Sequence, residues 1–284
     1  MSGPGAFPAE PPSAEELRRL CDFIYRRSGL SYGESKRTYI ERRLAMGMER
    51  SSAPSFLAYM ALLRVNPAEA ERLINSVTVN ETYFYREEHQ LQCLGRSLLP
   101  EIVAARGPGD LVRLWSMPCS TGEEPYSIAI WLLENWALVD AYNIEIVGSD
   151  LDTEVLAAAL EGRYGKRALS RLPPGVVERY FEPPHGHRRQ IIRDLRESVR
   201  FTLANLVDAD SMAAQGRFDV VFCRNVLIYF DEAARQAASR HLFAALNPGG
   251  FLCLGHSESM ARISERFIAR RFENAIVYQR PVGA

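Results

Sequence analysis

The stretch Leu111–Trp131, LVRLWSMPCSTGEEPYSIAIW, decides the fold. Leu111, Val112, Leu114, Trp115 and Met117 form a short, bulky apolar run, the pattern of a buried strand. Pro118 to Gly122 are small or turn-forming residues. Glu123, Glu124 and Pro125 then open an apolar pattern at helical spacing through Ile128, Trp131 and Leu132. Acidic residues suit a first helical turn, where free N–H groups and the helix dipole favour negative charge. Strand, tight turn and helix form the corner at which open α/β sheets bind ligands, beyond the carboxyl end of the strand. The same pattern also describes an ordinary βα connection. GxGxxG is absent, which argues against a dinucleotide fingerprint and a nicotinamide dehydrogenase.

Downstream the chain alternates between strand and helix patterns. Ile144, Ile146 and Val147 predict a second strand closed by Gly148-Ser149-Asp150, and Asp150 follows Gly122 by 28 residues, one helix plus one strand. An acid at that point in a Rossmann-like sheet can accept both ribose hydroxyls of a nucleoside, since a vicinal diol offers two donors in one direction. Asp152 competes for the role, or simply caps the helix predicted over 153–160. Residues 163–198 interrupt the alternation with a basic insertion carrying two Pro-Pro pairs; Gln190–Leu195 is its alternating piece, and the whole reads as part helix, part small hairpin. The alternation resumes through Val199–Leu203 and Ala204-Asn205-Leu206. An apolar strand at Phe218–Phe222 ends in Cys223-Arg224-Asn225. A helix over 232–246 is followed by an Asn247-Pro248-Gly249-Gly250 turn, a strand at Phe251–Leu254, and a terminal hairpin near Glu273-Asn274. Five strands with helical connections predict a mostly parallel twisted sheet covered on both faces.

Upstream the pattern is all helical. Residues 1–12, rich in Pro, Gly and Ala, predict a disordered tail. Ser13 and Glu16 form a capping box ahead of Leu17, Leu20, Cys21 and Ile24, and Gly29 can close that helix. A second helix is predicted over 34–48, a third around Phe56–Leu63, and a fourth from Asn66-Pro67. Lys36, Arg43 and Arg50, spaced by seven, share one stripe of the second helix, with Arg42 further round. That face is either solvated or a docking surface for an acidic partner. Residues 13–78 thus form a small helical domain, and 79–90 a linker. The segment SVTVNETYFYREEH (76–89) is too aromatic for a bare linker, and its Asn80, Thr82 and Arg86 can donate hydrogen bonds. Residues 91–284 complete the α/β domain.

Bulk composition sets few demands. The chain has 284 residues, net charge −1 and pI about 6.6, so nothing global calls for nucleic acid or an anionic membrane. No apolar run has membrane-spanning length, and the first residues lack the features of a signal peptide. Five scattered cysteines, none in a CxxC, suggest reduced thiols in the cytoplasm and no zinc site.

The motifs NETYFYRE (80–87), STGEEPYSIA (120–129), SDLDTEVL (149–156) and FCRNVLIYF (222–230), with NPGG and GHSES after them, resemble those of the CheR-type chemotaxis protein-glutamate O-methyltransferase family. The resemblance covers nearly the whole chain after residue 14. It implies an α/β, Rossmann-like S-adenosylmethionine-dependent methyltransferase domain with a small all-helical N-terminal domain and a small antiparallel β-subdomain inserted at about 163–198. It further implies cofactor contacts from Asn80, Thr82, Arg86, Glu124, Asp150, Asn205, Leu206, Arg224 and Asn225. It favours Glu124 over Glu123 and gives the ribose to Asp150. Arg86 could hold the cofactor carboxylate or steer the substrate glutamate, and Tyr229 would lie beside the methyl-transfer position. Lys36, Arg42, Arg43 and Arg50 would face the cytoplasmic methylation helices of methyl-accepting chemoreceptors, although Met46 and Glu49 interrupt that basic face. The subdomain is short between Phe181 and Val199, so the chain is expected not to need a receptor C-terminal tether peptide.

The implied chemistry is methyl transfer from S-adenosylmethionine to a glutamate carboxylate, giving a methyl ester and S-adenosylhomocysteine, with no metal. A carboxylate is already ionised near pH 7, so no general base is required and catalysis rests on positioning. The alternative is a non-catalytic S-adenosylmethionine-binding sensor. A nucleic-acid methyltransferase would want a basic groove and an NPPY-like motif, which the sequence lacks.

Overall fold

A computed structural model describes residues 12–283. The described residues fall into two compact units: 12–79 with 229–231, and 80–228 with 232–283. The expected tail lies outside the described residues except for Pro12. Among the described residues no helix is long and apolar enough to cross a membrane.

The first unit is built from four helices: α1 (Ala14–Ser28), α2 (Arg37–Ser51), α3 (Phe56–Val65) and α4 (Pro67–Val77). The Ser13/Glu16 capping box closes one end of α1, and Gly29, left-handed at φ 73°, closes the other. Ser55 and Asn66 cap α3 and α4 by accepting the Ala58 and Glu69 amides. Leu20, Ile24, Ile40, Leu44, Leu63 and Leu73 form the apolar interior. The second helix begins later than its pattern predicts: Glu34–Lys36 is a 3₁₀ turn and α2 runs on to Ser51. Residues 229–231 join this unit through a Leu30–Phe230 bridge and a Ser31 amide donating to the Tyr229 carbonyl at 2.9 Å.

The second unit opens with a continuous helical stretch, Glu88–Val103, in which Leu94–Leu98 widens to π-helical pairing. Nine strands follow: β1 (Leu111–Ser116), β2 (Asn143–Asp150), β3 (Arg163–Gly165), β4 (Arg188–Gln190), β5 (Val199–Leu203), β6 (Phe218–Cys223), β7 (Leu246–Leu254), β8 (Ile268–Phe272) and β9 (Ala275–Gln279). Seven form one sheet in the order β5-β2-β1-β6-β7-β9-β8; the first five are parallel, and β9 pairs antiparallel with both β7 and β8. From β1 the chain winds outward through β2 and β5, then returns to β6 and winds the other way. Right-handed crossovers therefore fall on opposite faces, and the winding reverses between β1 and β6. Every residue of β6 is buried, as suits a central strand.

Two local expectations are corrected. The insertion does form a two-stranded antiparallel sheet, but the strand is Arg188–Gln190, and Arg193–Ser198 is helical. The apparent alternation of 190–195 comes from Ile191 and Leu195 both reaching the core from different structures. Asn247-Pro248-Gly249-Gly250 lies within β7 rather than in a free turn. Gly249, at φ 82°, donates its amide to the Arg280 carbonyl, the Arg280 amide donates to the Gly250 carbonyl, and a Cβ on Gly250 would sit 3.0 Å from the Asp219 carbonyl, so a register shift with glycines lets β7 start early.

Candidate active site

Strand register brings the sequence-predicted acids and arginine together. Ser116, the last residue of β1, pairs with Gly148 on β2 and Phe222 on β6. Asp150 and Arg224 each lie two residues beyond those partners, one on either side of the β1 turn. Open α/β sheets place ligands at such a carboxyl edge.

On the β6 side a buried ion cluster forms. Arg224 donates to Glu124 Oε2 at 2.6 Å and to the Arg86 carbonyl at 2.8 Å, and it lies 3.4 Å from Glu87 Oε2. Glu124 Oε1 accepts the Ser116 hydroxyl at 2.8 Å. Burial pushes the Glu124 carboxyl above its ordinary value against the pull of Arg224. At Glu87 burial acts the same way, but Arg224 and hydrogen bonds from His256 prevail and hold the carboxyl below its ordinary value. Glu87 and Tyr85 both have positive φ, 54° and 57°, which turns the chain sharply at the linker's end. Gln90 pins that end to β7 by donating to the Leu254 carbonyl at 2.7 Å.

On the β2 side Asp150 is 4% exposed, and no ion pair joins it to a cation among the described residues. Its Oδ2 accepts the Ser120 amide at 2.8 Å and its Oδ1 the Asp152 amide at 3.0 Å. Burial raises its pKa to about 6 despite these bonds. Asp152 caps the helix Thr153–Glu161 by accepting the Glu154 and Val155 amides, and also accepts Asn80 Nδ2 at 2.9 Å. Asp152 is thus a helix cap that ties the linker to the sheet.

The turn joins the two sides. Ser120, at φ 48°, has a buried hydroxyl with no hydrogen-bond partner among the described residues. Gly122, at φ 92°, is a glycine for packing: a Cβ there would lie 2.9 Å from Ala159 Cβ and 3.1 Å from the Tyr164 hydroxyl, so its free side faces protein rather than ligand. Glu123 is buried and bonded to Thr121 at 2.6 Å, which leaves Glu124 as the member of the pair that reaches the cluster.

The remaining predicted residues divide. Asn205 and Leu206 follow β5; Asn205 Oδ1 accepts the Val207 amide, and the buried Leu206 accepts His241 through its carbonyl. Asn225 follows Arg224 in the left-handed conformation, φ 60°. Thr82 is half-buried in the linker, and the Arg86 guanidinium bonds the Glu81 carbonyl at 2.6 Å beside the Tyr83 ring. Tyr229 belongs to the helical unit. There Lys36 and Arg42 are exposed, Arg43 stacks 4.9 Å from the Tyr39 ring, and Arg50 bonds Glu69 at 2.7 Å. Sequence reasoning missed Glu87 and Glu258. Both lie in motifs it quoted, yet nothing local signals their long-range partners.

Comparison with known proteins agrees with this architecture. Residues 15–78 match the all-alpha domain of CheR methyltransferase, and residues 80–276 match the CheR methyltransferase S-adenosylmethionine-binding domain. The chain is 44% identical over 265 residues to chemotaxis protein methyltransferase 2 of Vibrio cholerae, covering 93% of this chain and 92% of that one. It is 36% identical over 267 residues to the chemotaxis protein methyltransferase of Escherichia coli K12, covering 91% and 89%. It is 35% identical over 263 residues to that of Salmonella typhimurium, covering 91% and 88%. The chain belongs to the CheR family of S-adenosylmethionine-dependent methyltransferases.

Proposed function

We propose that this protein methylates glutamate side chains of methyl-accepting chemoreceptors, giving glutamyl methyl esters for sensory adaptation. The observation that carries the reading is the convergence of Glu124, Asp150, Arg224 and the Asn80–Glu87 linker on the strand ends where the winding reverses. It occurs in a chain whose relatives are chemotaxis protein methyltransferases.

The residues present fit S-adenosylmethionine. Asp150 Oδ2 accepts the Ser120 amide and Oδ1 the Asp152 amide, and a carboxylate has further lone pairs with which to accept ribose hydroxyls. The orphaned Ser120 hydroxyl lies on the same turn. Glu124 suits the methionyl ammonium, Leu206 supplies an apolar wall and Asn205 a polar edge for adenine, and Asn80 and Thr82 come from the linker. Arg224 acts through its ion pairs, holding Glu124 and the Arg86 carbonyl in register, and Asn225 sets the turn after it. Arg86 retains N–H donors for a carboxylate, either that of the cofactor or that of the substrate.

When bound, the cofactor supplies a methyl group on cationic sulfur. The chain's part is to fix that group, align an ionised glutamate behind it and exclude water, with Tyr229 orienting the substrate. Lys36 and Arg42 are exposed cations of the helical unit suited to an acidic receptor helix. The loop between Phe181 and β4 is short, closing in a His185–Arg188 bridge, which supports action without a receptor tail tether. Micromolar binding of a receptor C-terminal peptide would sink that part of the reading.

The test is transfer of labelled methyl from S-adenosylmethionine to a purified chemoreceptor cytoplasmic fragment. Base-labile label on glutamate is expected; base-stable label, or none across the host's receptors, contradicts the proposal.

A further inference from the structure

The turn after β6 is held by a residue outside it. Glu258, beyond the end of β7, accepts four backbone amides: Asn225 at 2.7 Å and Gly255 at 2.9 Å on Oε2, and Val226 at 2.9 Å and Leu227 at 2.8 Å on Oε1. Three successive amides converging on one carboxylate make an anion-binding nest. The nest requires the left-handed conformation of Asn225, which an Asn tolerates better than most residues. Packing closes around it: a Cβ on Gly255 would lie 2.7 Å from Asn225 Nδ2 and 2.8 Å from Glu258 Oε2. Arg235 secures the far end by donating to the Leu227 carbonyl at 2.9 Å.

Arg224 immediately precedes this nest, and its guanidinium reaches Glu124 and the Arg86 carbonyl. The direction of its side chain follows from where the chain turns next. We propose that Glu258 is a positioning residue for the cofactor site. Its carboxylate fixes the turn at Asn225 and so aims Arg224 at Glu124 and presents Asn225 at the strand end. The inference rests on the reading above, in which those residues build the S-adenosylmethionine site.

Only a carboxylate satisfies the arrangement, because all four partners are donors. A glutamine would set its NH₂ group against two of them, and an aspartate keeps the charge but is one methylene short of spanning both pairs.

The test compares E258Q and E258D with the wild-type protein by calorimetric titration of S-adenosylmethionine, methyl-transfer kinetics and amide hydrogen exchange. In folded E258Q, exchange at residues 225–227 and 255 rises, and cofactor affinity falls about tenfold, the equivalent of one charge-assisted hydrogen bond. The KM for receptor stays unchanged, and E258D is intermediate. Wild-type affinity in folded E258Q overturns the inference, as does failure of both variants to fold, which would assign Glu258 to stability alone. If the wild-type protein itself does not bind S-adenosylmethionine, the cofactor reading fails first and this inference falls with it.

Discussion

Two buried carboxylates, one in each unit, are held in opposite ways. Glu69 in the helical unit is 2% exposed and surrounded by donors: Arg50 at 2.7 Å, Tyr59 at 3.1 Å and Arg72 at 3.0 Å. Burial alone would raise its pKa, but the two arginines and the tyrosine hold it below the ordinary value. Asp150 is nearly as buried, accepts backbone amides, lies near the Asp152 carboxylate, and has its pKa raised by burial to about 6. A charge that is paid for inside the fold serves the fold. A charge left without a cation, at a strand end beside an orphaned hydroxyl, marks a place where a ligand completes the arrangement.

That contrast can be broken most sharply at Asp150. If it accepts the ribose hydroxyls as we propose, D150A lowers S-adenosylmethionine affinity about 100-fold, the equivalent of two charge-assisted hydrogen bonds, with the fold intact by circular dichroism. Unchanged affinity would remove the ribose assignment. Glu69 should behave inversely. E69A strands the buried Tyr59 hydroxyl, removes the acceptor of the exposed Arg50 and Arg72, and costs about 2 kcal/mol of stability by denaturant titration, while cofactor affinity stays within about twofold.

Acid should separate the two sites next. The Glu69 pKa is depressed, so its contribution to stability is present above the ordinary carboxylate range and is lost as pH falls through and below that range. The Asp150 pKa is raised, so the free protein takes up its proton early; the cost of charging it appears as pH rises through about 6. If Asp150 accepts both ribose hydroxyls as we propose, binding favours its charged form. Affinity for S-adenosylmethionine should therefore fall as pH drops below about 6, approaching about tenfold per unit, before the helical unit loses stability. Flat affinity between pH 7 and 5 would contradict the assignment.

Smaller effects sharpen the partner side. Y229F should lower turnover several-fold, roughly 1 kcal/mol of transition-state positioning, and leave cofactor affinity unchanged. Replacing the exposed Lys36 or Arg42 with Ala should raise the KM for receptor about threefold and weaken its salt dependence, as expected for solvent-facing charges. Arg50→Ala belongs with Glu69: it should lower the thermal midpoint more than it changes receptor KM.

Much of this arrangement was legible in the residues because it is local. The Ser13/Glu16 capping box, the Gly29 cap and the Asn66-Pro67 start all occur as their spacing predicts. The strand-turn-helix at 111–131 forms, with Asp150 and Arg224 at the ends of the two strands that flank β1. What was not legible depends on partners far along the chain. Glu124 and Arg224 are 100 residues apart, and only strand order joins them. Glu258 caps amides about 30 residues earlier, and nothing in GHSES distinguishes it from a surface acid. The even spacing of Lys36, Arg43 and Arg50 concealed different fates, because a helical stripe does not reveal that Glu69 on the next helix but one will claim Arg50.

Proton linkage tests the central claim most directly. The wild-type protein would be titrated with S-adenosylmethionine at pH 6 in two buffers of different ionisation enthalpy. Binding to a charged Asp150 that is half protonated when free predicts release of about half a proton per cofactor, absent in D150A. Binding without proton release, or with proton uptake, would contradict the account.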